Sequence, residues 1–376
     1  MMTTKRLLDV CDFQGGTQPP KDEWINDPCE GYVRMLQIRD YSQGDAKFIQ
    51  YVKDTKKLHK CTKDDIMLSR YGYIGQAFIG LEGAYNVALV KVIKKAEIHT
   101  PYLLCYFQSY YFQHFLLSNV GARATIPGFN KDELENALIR IPEMCEQIEI
   151  ASKITKVDEL IGFHKQQLNV LDTLIKSRFI ELFGDPVINP KGFPCYTVGE
   201  VIDFQGGSQP DKKYFEYEAS PGNIRLIQIR DYKSDKYITY IPKTMAKRFC
   251  TADDIMIGRY GPPIFQILKG IEGSFNVALM KATPKMGNRE FVRQFLKQDC
   301  LLEYLEGLSQ RTAGQDGIQM DKLKAYPFPY PPMELQEQFA AFVEQTDKSK
   351  FYIVQMQILL RLLIRAIQQK TTEVLL

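Results

Sequence analysis

The chain has 376 residues, of which 45% are hydrophobic and 25% charged, a composition typical of soluble globular proteins. Its 48 basic and 45 acidic residues nearly balance, which excludes a uniformly basic surface and leaves room only for local basic patches. The length exceeds what one hydrophobic core usually supports, so we expect two domains with connecting segments.

Composition also bears on the compartment of the protein. Eight cysteines are scattered singly, without a Cys-x-x-Cys pair, which favours reduced thiols and a cytoplasmic location. The first residues, MMTTKRLLDVCDFQGG, lack the apolar segment of a signal peptide. No uncharged apolar run approaches the ~18 residues of a membrane helix, so we expect no membrane partner.

In chain order, the first informative feature is a duplication. The stretch DFQGGTQP begins at Asp12, and nearly the same stretch, DFQGGSQP, begins at Asp203. A period this long excludes a solenoid, whose repeats run to ~20–50 residues, and predicts two copies of a whole domain. The matching ranges are 12–41 with 203–232, 62–72 with 251–261, and 80–89 with 270–279.

Each copy mixes strand and helix patterns. VRMLQIRDY and IRLIQIRDY are rich in β-formers and predict strands, as do DDIMLSRYG and DDIMIGRYG. YNVALVKVI and FNVALMKAT predict a further buried strand. The apolar spacing becomes helical over residues 101–119 and again from Arg289. The fold class predicted for each copy is therefore α+β.

A long helix is predicted after each copy. Alternating three- and four-residue steps form a heptad seam, with His164 and Arg178 filling two gaps as tolerated polar positions or partner contacts. We expect the two helices to form an antiparallel coiled coil; packing on their own domains, or pairing with another chain, are the alternatives. The apolar seam positions are Val157, Ile161, Leu168, Leu171, Ile175 and Leu182, then Ile353, Met356, Leu360, Leu363 and Ile367.

The sequence offers little that would support catalysis. GPPI and YPPM lack the polar first residue and final aromatic of an adenine methyltransferase loop, and neither GxGxxG nor GxxxxGK[ST] is present. The four histidines have no metal-ligand spacing. Asp64-Asp65 and Asp253-Asp254 open apolar strands, where Asp is an ordinary turn former. We expect no catalytic residue, no metal and no cofactor in this chain.

The duplicated glycine loop is the best candidate for recognition. Its glycines permit positive φ and close backbone approach, and Pro19 stiffens the exit. Glutamine pairs bidentately with adenine, Ser or Thr contacts a base edge or phosphate, and Lys supplies charge for the backbone. A purely structural turn is the alternative. The side chains presented are Gln14, Thr17, Gln18 and Lys21 in one copy, and Gln205, Ser208, Gln209 and Lys212 in the other.

Arginines at predicted strand ends extend this candidate surface. Arginine beside tyrosine suits a guanine edge or a phosphate together with stacking. For Arg39 and Arg230 the alternative is a salt bridge to Asp40 or Asp231. The residues are Arg39, Arg70 and Tyr71, then Arg230, Arg259 and Tyr260; a third polar cluster comprises Arg123 and Thr125 in one copy and Gln310, Arg311, Thr312 and Gln315 in the other.

In this order, the duplicated motifs resemble the specificity subunit of type I restriction-modification systems. The resemblance rests on the Gly-Gly-Thr/Ser-x-Pro loops, the Asp-Ile-Met strands, the turns at Gly72 and Gly261, Ile141-Pro142 before a helix, and the Leu-Phe-Gly ending at Gly184. It implies two target recognition domains, residues 1–142 and 189–331, and two spacer helices, residues 143–188 and 332–376.

The resemblance also implies partners. Each recognition domain would read one half of a bipartite double-stranded DNA target, and the helices would dock two methyltransferase subunits, with restriction subunits added. S-adenosylmethionine, ATP and Mg²⁺ would serve those partners. Since the copies are unusually alike, we expect half-sites that share some bases and differ in others. The rival readings are another bipartite-site restriction system, a protein-binding scaffold, or an undetected nuclease.

Overall fold

The computed structural model describes residues 3–44, 48–120, 128–260, 264–309 and 318–372. The chain divides into two compact units, the first comprising Met1–Lys165 and Val354–Leu376 and the second Gln166–Ile353. Both boundaries fall inside long helices, so each unit contains one repeat copy and part of each helix.

The first copy combines short strands with short helices and then continues into a long helix. Two four-stranded sheets have the orders β2-β9-β6-β7 and β4-β3-β8-β5, and β1 pairs with β10. The strands are β1 Thr3–Arg6, β2 Cys11–Gly15, β3 Tyr32–Leu36, β4 Tyr51–Lys53, β5 Lys60–Cys61, β6 Met67–Ser69, β7 Ala77–Phe78, β8 Gly83–Tyr85, β9 Leu89–Lys94 and β10 Leu138–Ile141. The helices are α1 Leu7–Val10, α2 Ile38–Ser42, α3 Thr100–Phe107, α4 Tyr110–Asn119 and α5 Met144–Phe183.

The second copy repeats this topology. Its strands are β11 Cys195–Thr197, β12 Ile202–Gly206, β13 Asn223–Ile227, β14 Tyr240–Pro242, β15 Phe249–Cys250, β16 Ile255–Gly258, β17 Gln266–Lys269, β18 Gly273–Phe275, β19 Leu279–Pro284 and β20 Pro327–Pro329. Its helices are α6 Val198–Val201, α7 Arg289–Leu296, α8 Asp299–Ser309, α9 Met320–Ala325 and α10 Met333–Thr372. The sheet orders β12-β19-β16-β17 and β14-β13-β18-β15 match those of the first copy, which confirms the predicted α+β repeat.

Each copy is held together by a core in which aromatic rings meet edge to face. In the first unit the Phe107 and Phe112 ring centroids are 4.9 Å apart. In the second unit, Phe183 from α5 contacts Phe291 with ring centroids 4.7 Å apart. Such pairs contribute about 0.5–1.5 kcal/mol beyond the area they bury. In the second unit the long helix is therefore part of the domain core.

The Gln-Ile-Arg-Asp-Tyr stretches differ from their prediction as strand ends. The strand stops at Leu36, and Ile38–Ser42 is helical; in the second copy Ile229–Tyr232 is a 3₁₀ turn. The Asp40 carboxylate accepts a hydrogen bond from the Gln37 backbone N–H at 2.8 Å, which completes a capping box. This local capping outweighs the β propensity of the stretch.

The two long helices, α5 and α10, each have 40 residues. In the second unit, Lys350 Nζ lies 2.6 Å from an Asp172 carboxylate oxygen, and Arg178 lies over the Phe342 ring at 5.9 Å. The contact partners on α10 thus decrease in residue number as those on α5 increase, so the two segments are antiparallel there, as predicted. In the first unit Gln357 Nε2 donates to the Ile161 carbonyl at 3.5 Å.

The seam predicted along α10 is partly wrong. Met356 is 48% exposed and Leu363 47% exposed, whereas their neighbours Gln357 and Ile364 are half-buried. The buried line thus runs through Ile353, Gln357, Leu360, Ile364 and Ile367, and apolar side chains remain outside it. The sequence did not decide between these lines, because Leu363 and Ile364 are adjacent and both apolar, and because the polar Gln357 takes the half-buried position beside the apolar Met356.

One helix among the described residues, over Met333–Gln369, is long and apolar enough by length and composition to cross a membrane, with a window of mean hydropathy 1.3. Only 11% of that window is buried. The stretch is not uncharged, because Arg361 and Arg365 interrupt it, so the sequence prediction that no uncharged apolar run approaches ~18 residues still holds.

Candidate nucleic-acid interface

The two glycine loops have the same backbone geometry. Thr17 N donates to the Tyr85 carbonyl at 3.0 Å, and Ser208 N donates to the Phe275 carbonyl at 3.0 Å. A Cβ on Gly16 would stand 2.0 Å from the Asn86 carbonyl oxygen, and one on Gly207 would stand 1.9 Å from that of Asn276. The loop backbone can therefore lie this close to the Asn86 or Asn276 carbonyl only because the second residue of each Gly-Gly pair has no Cβ.

The loops use the close approach that their glycines permit and not the positive φ. Gly15, Gly16, Gly206 and Gly207 are absent from the described residues that have positive φ. The loops need glycine for another reason. The backbone packs so closely against the ends of β8 and β18 that there is no room for a Cβ.

His59 contacts the glycine loop of the first unit through two polar interactions, a role that the sequence did not reveal. Its Nδ1 lies 2.6 Å from the Gly15 carbonyl oxygen, and its backbone N–H donates to Thr17 Oγ1 at 3.4 Å. In the second unit Arg248 occupies the same place, since its carbonyl accepts from Phe275 N at 3.1 Å as that of His59 accepts from Tyr85 N at 3.2 Å. Arg248 is exposed.

The loop glutamines are placed differently in the two units. Tyr85 is fully buried, and its hydroxyl donates to Gln14 Oε1 at 3.0 Å. Burial raises the pKa of the Tyr85 phenol well above its usual value, so the hydroxyl stays protonated. Phe275 takes this position in the second unit and has no hydroxyl for Gln205.

Arg70 and Arg259 lie beside the glycine loops. Arg70 Nη1 is 3.8 Å from where a Cβ on Gly15 would stand, and Arg259 Nη1 is 3.9 Å from the same point at Gly206. Arg70 lies over Tyr71 at 5.4 Å, and Arg259 lies over Tyr260 at 5.3 Å. In each unit the structure thus brings the predicted arginine–tyrosine pair to the predicted loop.

Further hydrogen bonds orient these arginines. Arg70 Nε donates to the Phe129 carbonyl at 3.1 Å, and its Nη2 contacts Asn130 Oδ1. Arg259 Nη1 donates to the Val277 carbonyl at 3.4 Å. Both guanidinium groups keep further N–H donors, because an arginine has five.

The outer loop positions are exposed. Gln18 Nε2 donates to the Pro19 carbonyl at 3.4 Å, and Gln209 Nε2 donates to that of Pro210 at 3.3 Å. The two loop lysines open short 3₁₀ turns, Lys21–Glu23 and Lys212–Tyr214. Both lysines are exposed.

Arg39 and Arg230 each bond to a neutral polar side chain within their own unit, and the salt bridges considered for them are wrong. Asp40 pairs with Arg34 at 2.8 Å, and Asp231 pairs with Arg225 at 3.3 Å. Arg39 Nη2 donates to Gln50 Oε1 at 2.7 Å, whereas Arg230 Nη2 donates to Thr239 Oγ1 at 3.0 Å. The predicted residues of the third cluster, Arg123, Thr125, Gln310, Arg311, Thr312 and Gln315, lie outside the described residues.

In each aspartate pair, the second residue stabilises the turn in which it lies. Asp65 accepts from the Thr62 backbone N–H at 2.8 Å and lies 3.5 Å from Lys91 Nζ. Asp254 accepts from Thr251 N at 2.8 Å and lies 3.4 Å from Lys281 Nζ. Within the part of the chain that the structure describes, no group of three or more His, Cys, Asp or Glu side chains is placed to hold a metal ion.

Comparison with known proteins adds sequence and structural relatives. Residues 1–173 and 190–362 match the family model of the type I restriction modification DNA specificity domain. The chain is 25% identical over 372 residues to the type I restriction enzyme MjaVIII specificity subunit of Methanocaldococcus jannaschii, covering 91% of this chain and 85% of that protein. It is 24% identical over 355 residues to the putative MjaX specificity subunit of the same organism, covering 86% and 79%.

Two solved structures share the fold. The type I restriction-modification S subunit from M. genitalium aligns with a TM-score of 0.52 and 15% identity, over 99% of this chain and 96% of that one. A chain from a structural study of assembly and conformational transition in the type I R-M system aligns with a TM-score of 0.56 and 17% identity, over 98% and 97%.

Proposed function

Since the chain belongs to the type I restriction-modification DNA specificity family, as a non-catalytic specificity subunit, we propose that each of its two similar domains reads one half of a bipartite DNA site. The observation that carries this proposal is the duplicated arrangement of a glycine loop beside an arginine–tyrosine pair. A family member that reads one continuous site would not need the arrangement twice.

The side chains of this arrangement divide by chemistry. The glutamines at the loops face base edges, the exposed lysines meet phosphates, and the arginine–tyrosine pairs contact a guanine edge or a phosphate. We assign DNA contacts to Gln14, Thr17, Gln18, Lys21, Arg39, Arg70 and Tyr71 in one domain and to Gln205, Ser208, Gln209, Lys212, Arg230, Arg259 and Tyr260 in the other. Arg123, Gln310 and Arg311 keep the role that the sequence predicts for them.

The long helices dock two methyltransferase subunits in this proposal. Contiguous exposed apolar surface marks interaction sites. A protein partner suits this helix better than a bilayer does, because Arg361 lies midway between Lys350 and Lys370, and arginine at the centre of a membrane helix costs about 2.5–3.5 kcal/mol. From Phe351 onward, the large apolar side chains of α10 that are exposed are Phe351, Tyr352, Val354, Met356, Ile358, Leu359, Leu362 and Leu363.

The domain limits and the cofactors follow from the same proposal. The recognition domains comprise residues 1–142 and 189–331, and residues 143–188 and 332–376 supply the helices. The chain takes no cofactor of its own; S-adenosylmethionine, ATP and Mg²⁺ serve the methyltransferase and restriction subunits. The cytoplasm is the proposed location of the complex, as the scattered cysteines of the chain indicate.

The test is the salt-dependent binding of duplex DNA by the complex of this chain with its methyltransferase partners. For a site with 6–10 phosphate contacts, affinity falls about 10³–10⁵-fold between 50 and 200 mM salt. Arg70→Ala should weaken the response to changes in one half-site and Arg259→Ala the response to changes in the other. Lys95→Ala is the control, because Lys95 is exposed, follows β9 at the end that pairs with Cys11 and not with Gly15, and donates to the Leu8 carbonyl at 3.0 Å.

Two outcomes contradict the proposal. Binding without any base preference would remove the recognition role and favour a protein-binding scaffold. Metal-dependent cutting of DNA by the isolated chain would make it a nuclease.

A further inference from the structure

The amide of Gln14 has a fixed orientation before any ligand binds. The Tyr85 hydroxyl lies 3.0 Å from Gln14 Oε1 and 3.3 Å from the Gln14 backbone carbonyl oxygen. The tyrosine ring is fully buried at the end of β8, so it cannot move aside without opening the core. With its oxygen turned toward Tyr85, the amide directs its NH₂ group away from the buried ring.

The second unit lacks this constraint. Phe275 ends β18 and pairs with Ile227 of β13, as Tyr85 ends β8 and pairs with Leu36 of β3. Its carbonyl accepts from the loop residue Ser208 just as that of Tyr85 accepts from Thr17. The backbones are equivalent, and the difference at this position is a single hydroxyl group.

That hydroxyl changes what the glutamine offers to a base. Bidentate pairing with adenine uses the amide nitrogen as donor to N7 and the amide oxygen as acceptor from N6, so both atoms must face one base edge. At Gln14 the oxygen is turned toward the buried Tyr85 hydroxyl, so the NH₂ group is the part of the amide that is directed away from the core and offered to DNA. Two N–H donors suit O6 and N7 of guanine or O4 of thymine, whereas adenine presents its N6 donor beside N7 and so opposes them.

On the premise that the loops read base edges as in the proposed function, we propose that Tyr85 is a specificity-determining positioning residue. It makes Gln14 select a keto base in one half-site, whereas Gln205 pairs bidentately with adenine at the corresponding position of the other. Tyr85 itself touches no DNA. The expectation from sequence that both glutamines read adenine is thereby restricted to Gln205.

Preorganisation strengthens the effect. A free glutamine side chain loses rotamer freedom when it is immobilised on a base, and that loss opposes binding. Gln14 has already lost part of this freedom in the unbound protein. Removing the Tyr85 hydroxyl should therefore both release the amide oxygen and loosen the discrimination by Gln14.

The experiment selects preferred sites from a randomised duplex DNA library with the full chain bound to its methyltransferase partners. Tyr85→Phe should shift one position of the first half-site from keto bases toward adenine, changing the ratio by about tenfold. Phe275→Tyr should shift the corresponding position of the second half-site in the opposite direction. Tyr102→Phe is the matched control: it removes a buried hydroxyl that donates to the Arg140 carbonyl at 2.7 Å, within the core of the first unit.

A further variant keeps the test decisive if Phe275→Tyr does not fold. Gln14→Glu places an acceptor-only group at the half-buried loop position, and it should move the preference from keto bases to the amino bases adenine and cytosine. Unchanged preferences in Tyr85→Phe and Gln14→Glu, with wild-type selectivity intact, would overturn this inference alone. A wild-type complex without any base preference would instead overturn the proposed function.

Discussion

Gly16 approaches Asn86 so closely that a Cβ on the glycine would stand 2.0 Å from the Asn86 carbonyl oxygen. Real Cβ atoms do not approach backbone oxygens to this distance, so any other residue forces the loop away from the end of β8. The hydrogen bond from Gly16 N to the Leu89 carbonyl, 3.1 Å long, would then break. This contact makes the loop a rigid platform.

Gly16→Ala should therefore reduce binding to the first half-site, and Gly207→Ala should do the same for the second. The displaced loop can no longer present its polar side chains in one geometry. The measurement is the affinity of the complex for duplexes in which one half-site at a time is altered. Wild-type affinity of Gly16→Ala would show that the close approach is dispensable.

Gly162→Ala is the control for this pair. Gly162 lies inside α5, and a Cβ there would meet nothing within 4 Å. The substitution should leave DNA binding unchanged and raise the free energy of unfolding by about 0.5–1 kcal/mol, because alanine loses less backbone entropy in a helix.

Substitutions of Arg34 and Arg39 should affect different properties, the first the stability of the fold and the second the binding of DNA. Arg34 pairs with Asp40, whose side chain is only 3% exposed, so Arg34→Ala leaves a buried carboxylate without its cation. We expect the free energy of unfolding to fall by about 1–3 kcal/mol, measured by urea titration. Arg39→Ala should cost much less stability and weaken DNA binding. Equal losses of stability in both variants would contradict this division.

Much of the fold was predictable because it depends on local patterns. The repeat, the β-rich runs and the two long helices all left periodic or duplicated signals, and the structure confirms them. The Gln-Ile-Arg-Asp-Tyr error arose where a capping box from Gln37 and Asp40 outweighed strand propensity. The buried positions of α10 were mispredicted at Met356 and Leu363. The adjacent residues Gln357 and Ile364 are half-buried instead, and tertiary packing determines which residue of each pair faces the seam.

The candidate site was predictable only in its outline. The duplicated motifs identified the glycine loop and the arginine–tyrosine pairs. The residues that form hydrogen bonds with the loop, however, lie far away in the sequence. Tyr85 reaches Gln14 across 71 positions, and His59 reaches Gly15 across 44. No spacing rule links such positions, because the contact exists only once β2 and β8 are folded.

Leu363 and Ile364 provide a matched pair on α10. Ile364 is half-buried in the helix seam, so Ile364→Gln should lower the free energy of unfolding by about 1–2 kcal/mol. Leu363 is 47% exposed, so Leu363→Gln should leave the melting temperature nearly unchanged. It should instead weaken co-purification with the methyltransferase partner, measured by analytical size exclusion. A destabilised Leu363→Gln with normal Ile364→Gln would favour the seam predicted from sequence.

Thiol labelling of the native chain should separate the cysteines by burial. Burial raises the pKa of the Cys11 thiol to about 12 and those of Cys61, Cys105 and Cys250 to about 11. A raised pKa means less thiolate at a given pH, and thiolate is the reactive form. At pH 8 iodoacetamide should therefore modify the exposed thiols Cys29, Cys145 and Cys195 first, as read by mass spectrometry of peptides.

At pH 9.5 the four buried thiols should remain protected, since 9.5 is still below their raised pKa values. Unfolding in urea should remove this protection, because the four thiols then return to an ordinary pKa near 8.5. Rapid modification of Cys61 in the folded chain would mean that the sheet containing β5 and β8, against which the first glycine loop packs, opens in solution. The rigid platform inferred from Gly16 and Asn86 would then be lost, and the reading of bases by preoriented side chains with it.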